Sequence, residues 1–271
     1  MKKSRRLKSF RRCFILSVLL IGATVAFCMS PLFDIKEIKV NGNNHYTKDE
    51  IKNIVNINLN DNWFRKVAQN SKFSVKSIAM HRYFEGERQV IKECPYIKNV
   101  KILLVGLGKY KIDIEERQPV ARVSYHTTYV VVDQEGVALD ITDDINNDKI
   151  PKINGIRLKG VRLGDRIDMS EDKVKAFYHI YETIKKSDYQ SENLYDKIDY
   201  IDLNDVKDTK LFLDNRILVY LGNERDINLY KINYVKEIFF NKLDKEEEGI
   251  LKFRNKGYPT FTKKTYALAQ R

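Results

Sequence analysis

The sequence contains few cysteines, and their positions exclude a disulfide framework. Among its 271 residues there are three: Cys13, Cys28 and Cys94. Because Cys13 and Cys28 lie in an apolar run near the N-terminus, Cys94 has no partner for an intramolecular disulfide in the rest of the chain. We therefore expect the remainder of the chain to fold through ordinary burial of apolar side chains, without disulfide cross-links.

The motifs of the common enzyme classes and metal sites are also missing. The sequence has no Gly-x-Ser-x-Gly, His-Glu-x-x-His or Cys-x-x-Cys motif and no phosphate loop. An acidic run lacks the glycine and the bidentate glutamate of a calcium loop, and we interpret it as solvated: Asp140, Asp143, Asp144 and Asp148. The histidines are scattered without ligand spacing: His45, His81, His126 and His179. We expect no cofactor and no metal.

One serine–lysine pair has the spacing of an enzyme motif. Ser170 and Lys173 match the Ser-x-x-Lys of penicillin-binding enzymes, in which the lysine activates the serine. The Ser-Asp-Asn and Lys-Thr-Gly elements that accompany it in those enzymes do not occur here. Because two acids follow Ser170, as at a helix N-terminus, we interpret it as a helix cap. A membrane-anchored peptidoglycan-processing enzyme using Ser170 is the alternative function.

The N-terminal region has the pattern of a membrane anchor. Seven cations and no acid occur in residues 1–12, and the seventeen residues Cys13–Met29 carry no charge. A helix of that length spans about 26 Å, close to the ~30 Å hydrocarbon core, and Pro31 would end it. The positive-inside rule then predicts a cytoplasmic N-terminus and an exterior bulk. A cleaved signal peptide is the competing interpretation, but Ala26-Phe27-Cys28 is a poor cleavage site.

The net charge does not indicate a nucleic-acid partner. The formal charge is +12, but seven of the 49 Lys and Arg residues lie in the first twelve positions, which leaves 42 cations against 37 acids. The excess of positive charge thus mainly indicates the orientation of the chain in the membrane, and it adds a mild attraction to anionic surfaces.

The region after the anchor predicts a small α/β module of order β-α-α-β-β. A first strand is expected over Phe33–Val40, and a capping box of Thr47 and Glu50 starts a helix. A hairpin follows, with strands Ile97–Val105 and Lys109–Arg117 joined by Gly106-Leu107-Gly108. We assign the Trp63-Phe64 pair to core packing. Two further helical stripes are predicted between residues 62 and 94: Val75, Ile78, Ala79, Arg82 and Tyr83, and then Val90 and Ile91.

Beyond Pro119 the pattern becomes β-rich. Two helices are predicted, one from Ser170 and one from Asp226. Their inner stripes are Val174, Phe177, Tyr181 and Ile184 for the first, and Ile227, Tyr230, Tyr234 and Ile238 for the second. Strands are predicted over Val120–Tyr125, Tyr129–Val132, Val137–Leu139, Ile198–Leu203, Lys210–Leu213, Ile217–Leu221, Ile250–Phe253 and Thr260–Thr262.

Taken in order, these segments resemble the FtsQ/DivIB family of cell-division proteins. The resemblance runs from about Met1 to Lys264 and departs from the family in a longer Phe73–Cys94 segment and in the Gly-Leu-Gly turn, where the family usually has a proline. The segments that carry it are FDIKEIKVNGNNHYTKDEI, NWFRK, CPYIKNVKI, IEERQPVA, YVVVDQEGVALD, IDLNDVKDTKLFLDNRILVYLG and ILKFRNKGYPTF.

The resemblance implies an α+β fold, with a single transmembrane helix, an α/β POTRA domain and a mixed β-rich domain with two helices. The implied limits are a cytoplasmic tail over 1–12, the transmembrane helix over 13–30, the POTRA domain over 33–117, the β domain over 118–262 and a C-terminal tail over 263–271. A POTRA-bearing translocation factor is a third interpretation, but the region after Glu116 lacks the ~10-residue amphipathic strands of a membrane barrel.

The resemblance also implies the function. Proteins of this family are not enzymes; they are single-pass scaffolds of the division septum. They bind the small coiled-coil partners FtsB/DivIC and FtsL, and they help to recruit and regulate septal peptidoglycan synthesis.

We place the partner-binding site in the last two predicted strands, because a terminal strand is commonly an edge strand that can accept another β segment. Lys263 and Lys264 would meet acidic groups of the partner. The alternative is that Phe253 and Phe261 close the core and that the lysines are solvated. The candidate partner-binding residues are Ile250, Phe253, Tyr258, Thr260, Phe261, Thr262 and Lys263.

Overall fold

The computed structural model describes residues 2–68, 75–143, 150–188, 192–253 and 258–264, so Phe73, Asp144 and Asp148 of the sequence predictions lie outside the described residues. The chain forms two compact units, residues 1–116 and residues 117–271. Each unit has a hydrophobic core of its own. The predicted α+β class is confirmed.

The first unit begins with a long helix, α1, over Lys2–Cys28. Within it, Phe10–Cys28 is a candidate membrane span of 19 residues with a mean hydropathy of 1.8. The chain then forms a short 3₁₀ helix over Pro31–Phe33, because proline fits the first turn of a helix. The first strand, β1, starts only at Glu37, so the predicted strand is wrong in its first half.

A three-stranded sheet with helices forms the rest of the first unit. Its strand order is β1-β3-β2, with β1 parallel and β2 antiparallel to β3. Tyr110, Ile112 and Ile114 of β3 are buried, as the alternation in this strand predicted. The elements are β1 Glu37–Asn41, α2 Lys48–Val55, α3 Trp63–Ala68, α4 Val75–Ala79, α5 Phe84–Glu93, β2 Ile97–Leu104 and β3 Lys109–Glu116.

A local sequence signal explains where helix α2 begins. The capping box of α2 is present: Thr47 Oγ1 accepts a hydrogen bond from the Glu50 amide at 3.2 Å, and Glu50 Oε2 accepts one from the Thr47 amide at 2.7 Å. Trp63 is fully buried against Tyr110, with 5.2 Å between ring centroids, so its predicted core role is confirmed.

The predicted helical stripe from Val75 to Tyr83 is wrong in its second half. Helix α4 ends at Ala79, and His81 has a φ of 50°, in the left-handed region that a helix cannot continue through. Arg82 instead forms a β bridge with Leu103, beside the end of β2.

In its described residues, the second unit forms a nine-stranded sheet with two α-helices, α6 Glu171–Ser187 and α7 Leu229–Asn241. The strand order is β12-β11-β10-β9-β8-β7-β4-β5-β6. The sequence analysis missed β7, a three-residue strand that pairs in parallel with both β4 and β8. The strands are β4 Ala121–Tyr125, β5 Thr128–Val132, β6 Ala138–Thr142, β7 Lys152–Asn154, β8 Ile198–Asp202, β9 Thr209–Leu213, β10 Ile217–Gly222, β11 Gly249–Lys252 and β12 Thr260–Lys263.

Helix α7 differs most from the prediction. A 3₁₀ turn over Glu224–Asp226 precedes it, and its cap is Asn228, whose side chain accepts a hydrogen bond from the Lys231 amide at 3.0 Å. The helix therefore does not begin at Asp226. Its buried apolar residues are Ile232, Val235 and Phe239. Of the predicted inner stripe, Ile227 is buried just before the helix and Ile238 packs against the core, but Tyr230 is exposed and Tyr234 is half-buried.

Candidate functional site

The candidate site lies where the nine-stranded sheet ends at β12. Strands β10 and β11 are parallel neighbours connected through α7, and β12 pairs antiparallel with β11. In the register, Ile250 lies opposite Thr262 and Leu251 lies opposite Phe261. In the part of the chain that the structure describes, no strand lies beyond β12.

The backbone of β12 divides into groups that bond to β11 and groups that face away from it. The Lys264 amide donates to the Glu248 carbonyl at 2.8 Å. Because hydrogen-bonded and non-bonded pairs alternate in an antiparallel ladder, the backbone of Thr262 also faces β11. The N–H and C=O groups of Phe261 and Lys263 then face outward, at the free edge of the sheet.

Phe261 fixes β12 to the sheet from the core side. Its side chain is half-buried and packs against the main core of the second unit. The ring lies over Gly249, a buried residue that pairs with Lys263. Phe261 therefore closes the core, as the alternative interpretation predicted, while its backbone remains at the edge.

The other face of the last strands carries the exposed candidates. Ile250 is 40% exposed, and the side chains of Thr260 and Thr262 are exposed as well. Ile250 also lies beside Leu218 in β10, so apolar surface continues from β11 into the sheet.

Three tyrosines pack together at a second surface, which we call the tyrosine cluster: the exposed Tyr230 and Tyr258, and the half-buried Tyr234. The rings of Tyr230 and Tyr234 are 4.7 Å apart, and those of Tyr234 and Tyr258 are 6.0 Å apart. Tyr230 is 66% exposed and Tyr258 is 77% exposed. The side-chain hydrogen bond with Tyr230 raises the pKa of Tyr234 to about 12, so this hydroxyl stays neutral at physiological pH.

Phe253 does not belong to the exposed surface. It is half-buried, and the Lys231 ammonium lies 5.4 Å from its ring centroid. That ammonium also donates to the Leu221 carbonyl at 2.8 Å, and burial lowers the pKa of Lys231. Phe253 is thus held by the chain's own helix α7.

Lys263 and Lys264 already have acidic partners within the chain. Lys263 Nζ lies 3.1 Å from Glu247 Oε1, and Lys264 Nζ lies 3.1 Å from Glu248 Oε2. The hydrogen bond from Lys263 lowers the pKa of Glu247. In both pairs the lysine is exposed and the glutamate is partly buried, so salt screens the attraction in part and a partner's acids would have to compete with it.

Ser170 and Lys173 do not form a nucleophile–base pair. Ser170 occupies the predicted N-cap position of α6, but its side chain makes no capping hydrogen bond. The Lys173 ammonium donates to the Gly155 carbonyl. Both residues line a hollow of about 620 Å³ in the second unit. No group of three or more metal-ligating side chains occurs among the described residues.

The sequence did not predict that Tyr230 is exposed and that Tyr234 is only half-buried. Both were assigned to the inner stripe of α7, although Ile232, Val235 and Phe239 already supply a stripe at i, i+3 and i+7. A tyrosine tolerates exposure of its hydroxyl end. Assigning the aliphatic residues to the buried stripe first would therefore have predicted that the tyrosines lie outside it.

Comparisons with known proteins agree with the family resemblance. Residues 33–78 match the family model "POTRA domain, FtsQ-type". The chain is 25% identical to the cell division protein DivIB of Clostridium acetobutylicum over 239 residues, which cover 88% of this chain and 86% of that protein. It is 22% identical to DivIB of Clostridium botulinum (strain Hall), covering 96% and 94% of the two chains.

A more distant relative extends the comparison. The cell division protein FtsQ of Koribacter versatilis is 19% identical over 187 residues, which cover 69% of this chain and 48% of that protein. The matches to DivIB span most of both chains, and the POTRA match lies in the first unit. They support a role in cell division for a chain whose described residues include one candidate membrane-spanning helix. The comparisons therefore support the FtsQ/DivIB family of cell-division proteins for this chain.

Proposed function

We propose that this protein is a non-enzymatic scaffold of the division machinery that binds FtsB/DivIC-type and FtsL-type partners. In this role it helps to recruit and regulate septal peptidoglycan synthesis. The observation that carries the proposal is the free edge of β12, which is flanked by the tyrosine cluster.

The edge supports binding by strand addition. The outward N–H and C=O groups of Phe261 and Lys263 can pair with an incoming β segment, which provides affinity without requiring a particular sequence. Specificity needs side chains, and tyrosines are among the residues that most often dominate binding energy at interfaces. Ile250, Thr260 and Thr262 add an exposed face to the same strands. Phe253 supports the site from within the unit and does not contact the partner in this proposal.

The topology is part of the proposal. The seven cations before the candidate span favour a cytoplasmic N-terminus, with residues 31–271 outside the membrane at the division septum. Within that exterior part we propose a POTRA domain over 33–117 and a β domain from 118; since β12 includes Lys263, we extend the β domain by at least one residue beyond 262. Protease added to wall-stripped cells should digest the bulk of the chain if this orientation is correct.

A backbone substitution at the edge tests the strand-addition site. Lys263→Pro removes the outward amide of residue 263 and leaves the inward amides of its neighbours in place. Lys263→Ala is the matched control, because it removes the same charge and keeps the amide. With the full chain in nanodiscs, we expect Lys263→Pro to weaken binding of a purified FtsB/DivIC-type partner by about tenfold or more.

The control should bind nearly as well as the unmodified chain. Both variants must retain the unmodified melting temperature within a few degrees, because the proline is placed where its N–H has no partner in the sheet. Equal binding by two folded variants would show that the partner does not pair with β12.

A further inference from the structure

The first unit carries an exposed apolar surface that its core does not use. It contains three leucines, which we call the leucine patch: Leu32, Leu59 and Leu107. Their side chains are between 48% and 59% exposed. Met80 and Val105 are about half exposed and lie next in sequence to His81 and Gly106. Leu107 and Phe33 also line an adjoining hollow of about 360 Å³ with His81 and Gly106.

Backbone hydrogen bonds join the three segments that carry the leucines of the patch. The loop that holds Leu59 is bound to the segment after α1: the Asn60 amide donates to the Ile35 carbonyl, and the Ile35 amide donates to the Asp61 carbonyl, both at 2.8 Å. The β2–β3 turn that holds Leu107 is bound to the same segment, since the Gly108 carbonyl accepts from the Lys36 amide at 2.7 Å. Leu32 lies at the start of that segment.

The same region is attached directly to the end of helix α1. The Asn62 side-chain amide donates to the carbonyls of Cys28 and Ser30, at 3.3 and 3.2 Å. The Phe33 ring packs edge-on against Phe27, with 5.4 Å between centroids, and against Phe64, with 4.9 Å. Because these contacts join α1 to the rest of the first unit, the leucine patch lies close to where the candidate span ends.

We infer that the leucine patch is seated in the interfacial layer of the bilayer that α1 crosses. The bilayer is the expected occupant because the two apolar surfaces are continuous. The exposed apolar surface of α1 ends at Cys28, and the segments of the patch are bound to the residues that follow it. Lys36, in the segment after α1, and Arg65, in α3, are exposed cations and suit anionic lipid headgroups. The first unit is thereby held against the membrane surface. This inference rests on the proposed anchoring by α1, and it is independent of the partner site on β12.

Spin labels on the full chain in lipid nanodiscs test this contact. The three native cysteines are replaced by alanine, and single cysteines are introduced as Leu59→Cys, Leu107→Cys and, as the matched control, Ile91→Cys. Ile91 is 44% exposed and lines a different hollow with Asn99, near the start of β2 and away from the β2–β3 turn. We expect labels at 59 and 107 to be several-fold more accessible to oxygen than to a water-soluble nickel chelate, with the reverse at 91.

A fourth label separates this inference from the anchoring itself. Leu19→Cys lies in the middle of the candidate span and reports whether α1 is in lipid. Lipid-like accessibility at 19 with water-like accessibility at 59 and 107 overturns the inference and leaves the anchor in place. Water-like accessibility at all positions overturns both. The labelled positions are exposed, so the variants should melt like the unlabelled chain; if Leu107→Cys does not, Val105→Cys in the same turn replaces it with the same expected result.

Discussion

The ring of Phe261 lies against Gly249 in the neighbouring strand so closely that no side chain fits at residue 249. A Cβ at that position would lie 2.6 Å from Phe261 Cζ and 2.5 Å from the Thr262 carbonyl oxygen. Real Cβ atoms do not approach other atoms so closely, so any larger residue at 249 has to displace β12. The candidate binding edge therefore depends on one glycine.

Gly249→Ala is expected to loosen β12 and to lower the free energy of unfolding by about 1–3 kcal/mol, as overpacking does in a close-packed region. Partner binding should weaken with it, because the edge strand shifts. Gly160→Ala is the control, since a Cβ there meets nothing within 4 Å. Denaturant unfolding of both variants measures the difference. Equal free energies for the two would contradict the close contact.

How much could be predicted differs between parts of the fold and of the candidate site. The hairpin of β2 and β3 was predicted correctly. Buried and less buried side chains alternate along β3, with Tyr110, Ile112 and Ile114 on the buried face, and only one pairing register buries that face. The edge position of β12 was also expected from its place in the chain. The tyrosine cluster was not, because a tyrosine can serve in a core or at a surface, and its periodicity alone does not decide between them.

Other differences have local physical causes. The three-residue strand β7 is too short to show alternation, and its place in the sheet depends on non-local pairing with β4 and β8. The first strand was predicted to begin too early, because the chain forms a proline-initiated 3₁₀ helix over Pro31–Phe33 before β1. The break after α4 depends on the left-handed conformation of His81, a residue type that gives little warning of it.

Tyr258→Ala is expected to weaken binding of the FtsB/DivIC-type partner by tenfold or more, since tyrosines that become buried at an interface often contribute more than 1 kcal/mol. The fold should be unaffected, because Tyr258 is among the more exposed side chains. Tyr178→Ala on α6 is the control; Tyr178 is 45% exposed and lies outside the tyrosine cluster. Titration of the full chain with labelled partner gives both affinities. If the two variants bind alike, the tyrosine cluster takes no part in recognition.

Glu87→Ala should strongly destabilise the first unit. The buried Glu87 carboxylate accepts from Arg82 Nε at 2.6 Å and from the Ile102 amide at 2.8 Å, and it thereby joins α5 to β2. Its removal leaves a charge and an amide without their partner, which costs roughly 2–4 kcal/mol. Glu85→Ala, which removes a more exposed carboxylate paired with Arg88, should cost far less in the same unfolding experiment. Similar losses for both would show that burial of Glu87 is unimportant.

The Cys94 thiol should make stability depend on pH in the alkaline range. Burial raises the pKa of this thiol from 9.0 to about 11, so the folded state retains its proton where the unfolded state loses it. This contribution is fully present below pH 9 and falls as the pH rises from 9 to about 11. Cys94→Ala should therefore reduce the loss of unfolding free energy over that range. The difference between the two chains isolates the thiol from the tyrosines, and parallel pH profiles would contradict the assignment.

Hydrogen–deuterium exchange at single-residue resolution across β12 tests the strand-addition site most directly. In the free protein, the outward amides of Phe261 and Lys263 should exchange rapidly, while those of Thr262 and Lys264 should be protected by pairing with β11. Saturation with the FtsB/DivIC-type partner should slow exchange at Phe261 and Lys263 by at least about tenfold and leave the other two nearly unchanged. Unchanged, rapid exchange at Phe261 and Lys263 in the saturated complex would contradict the account.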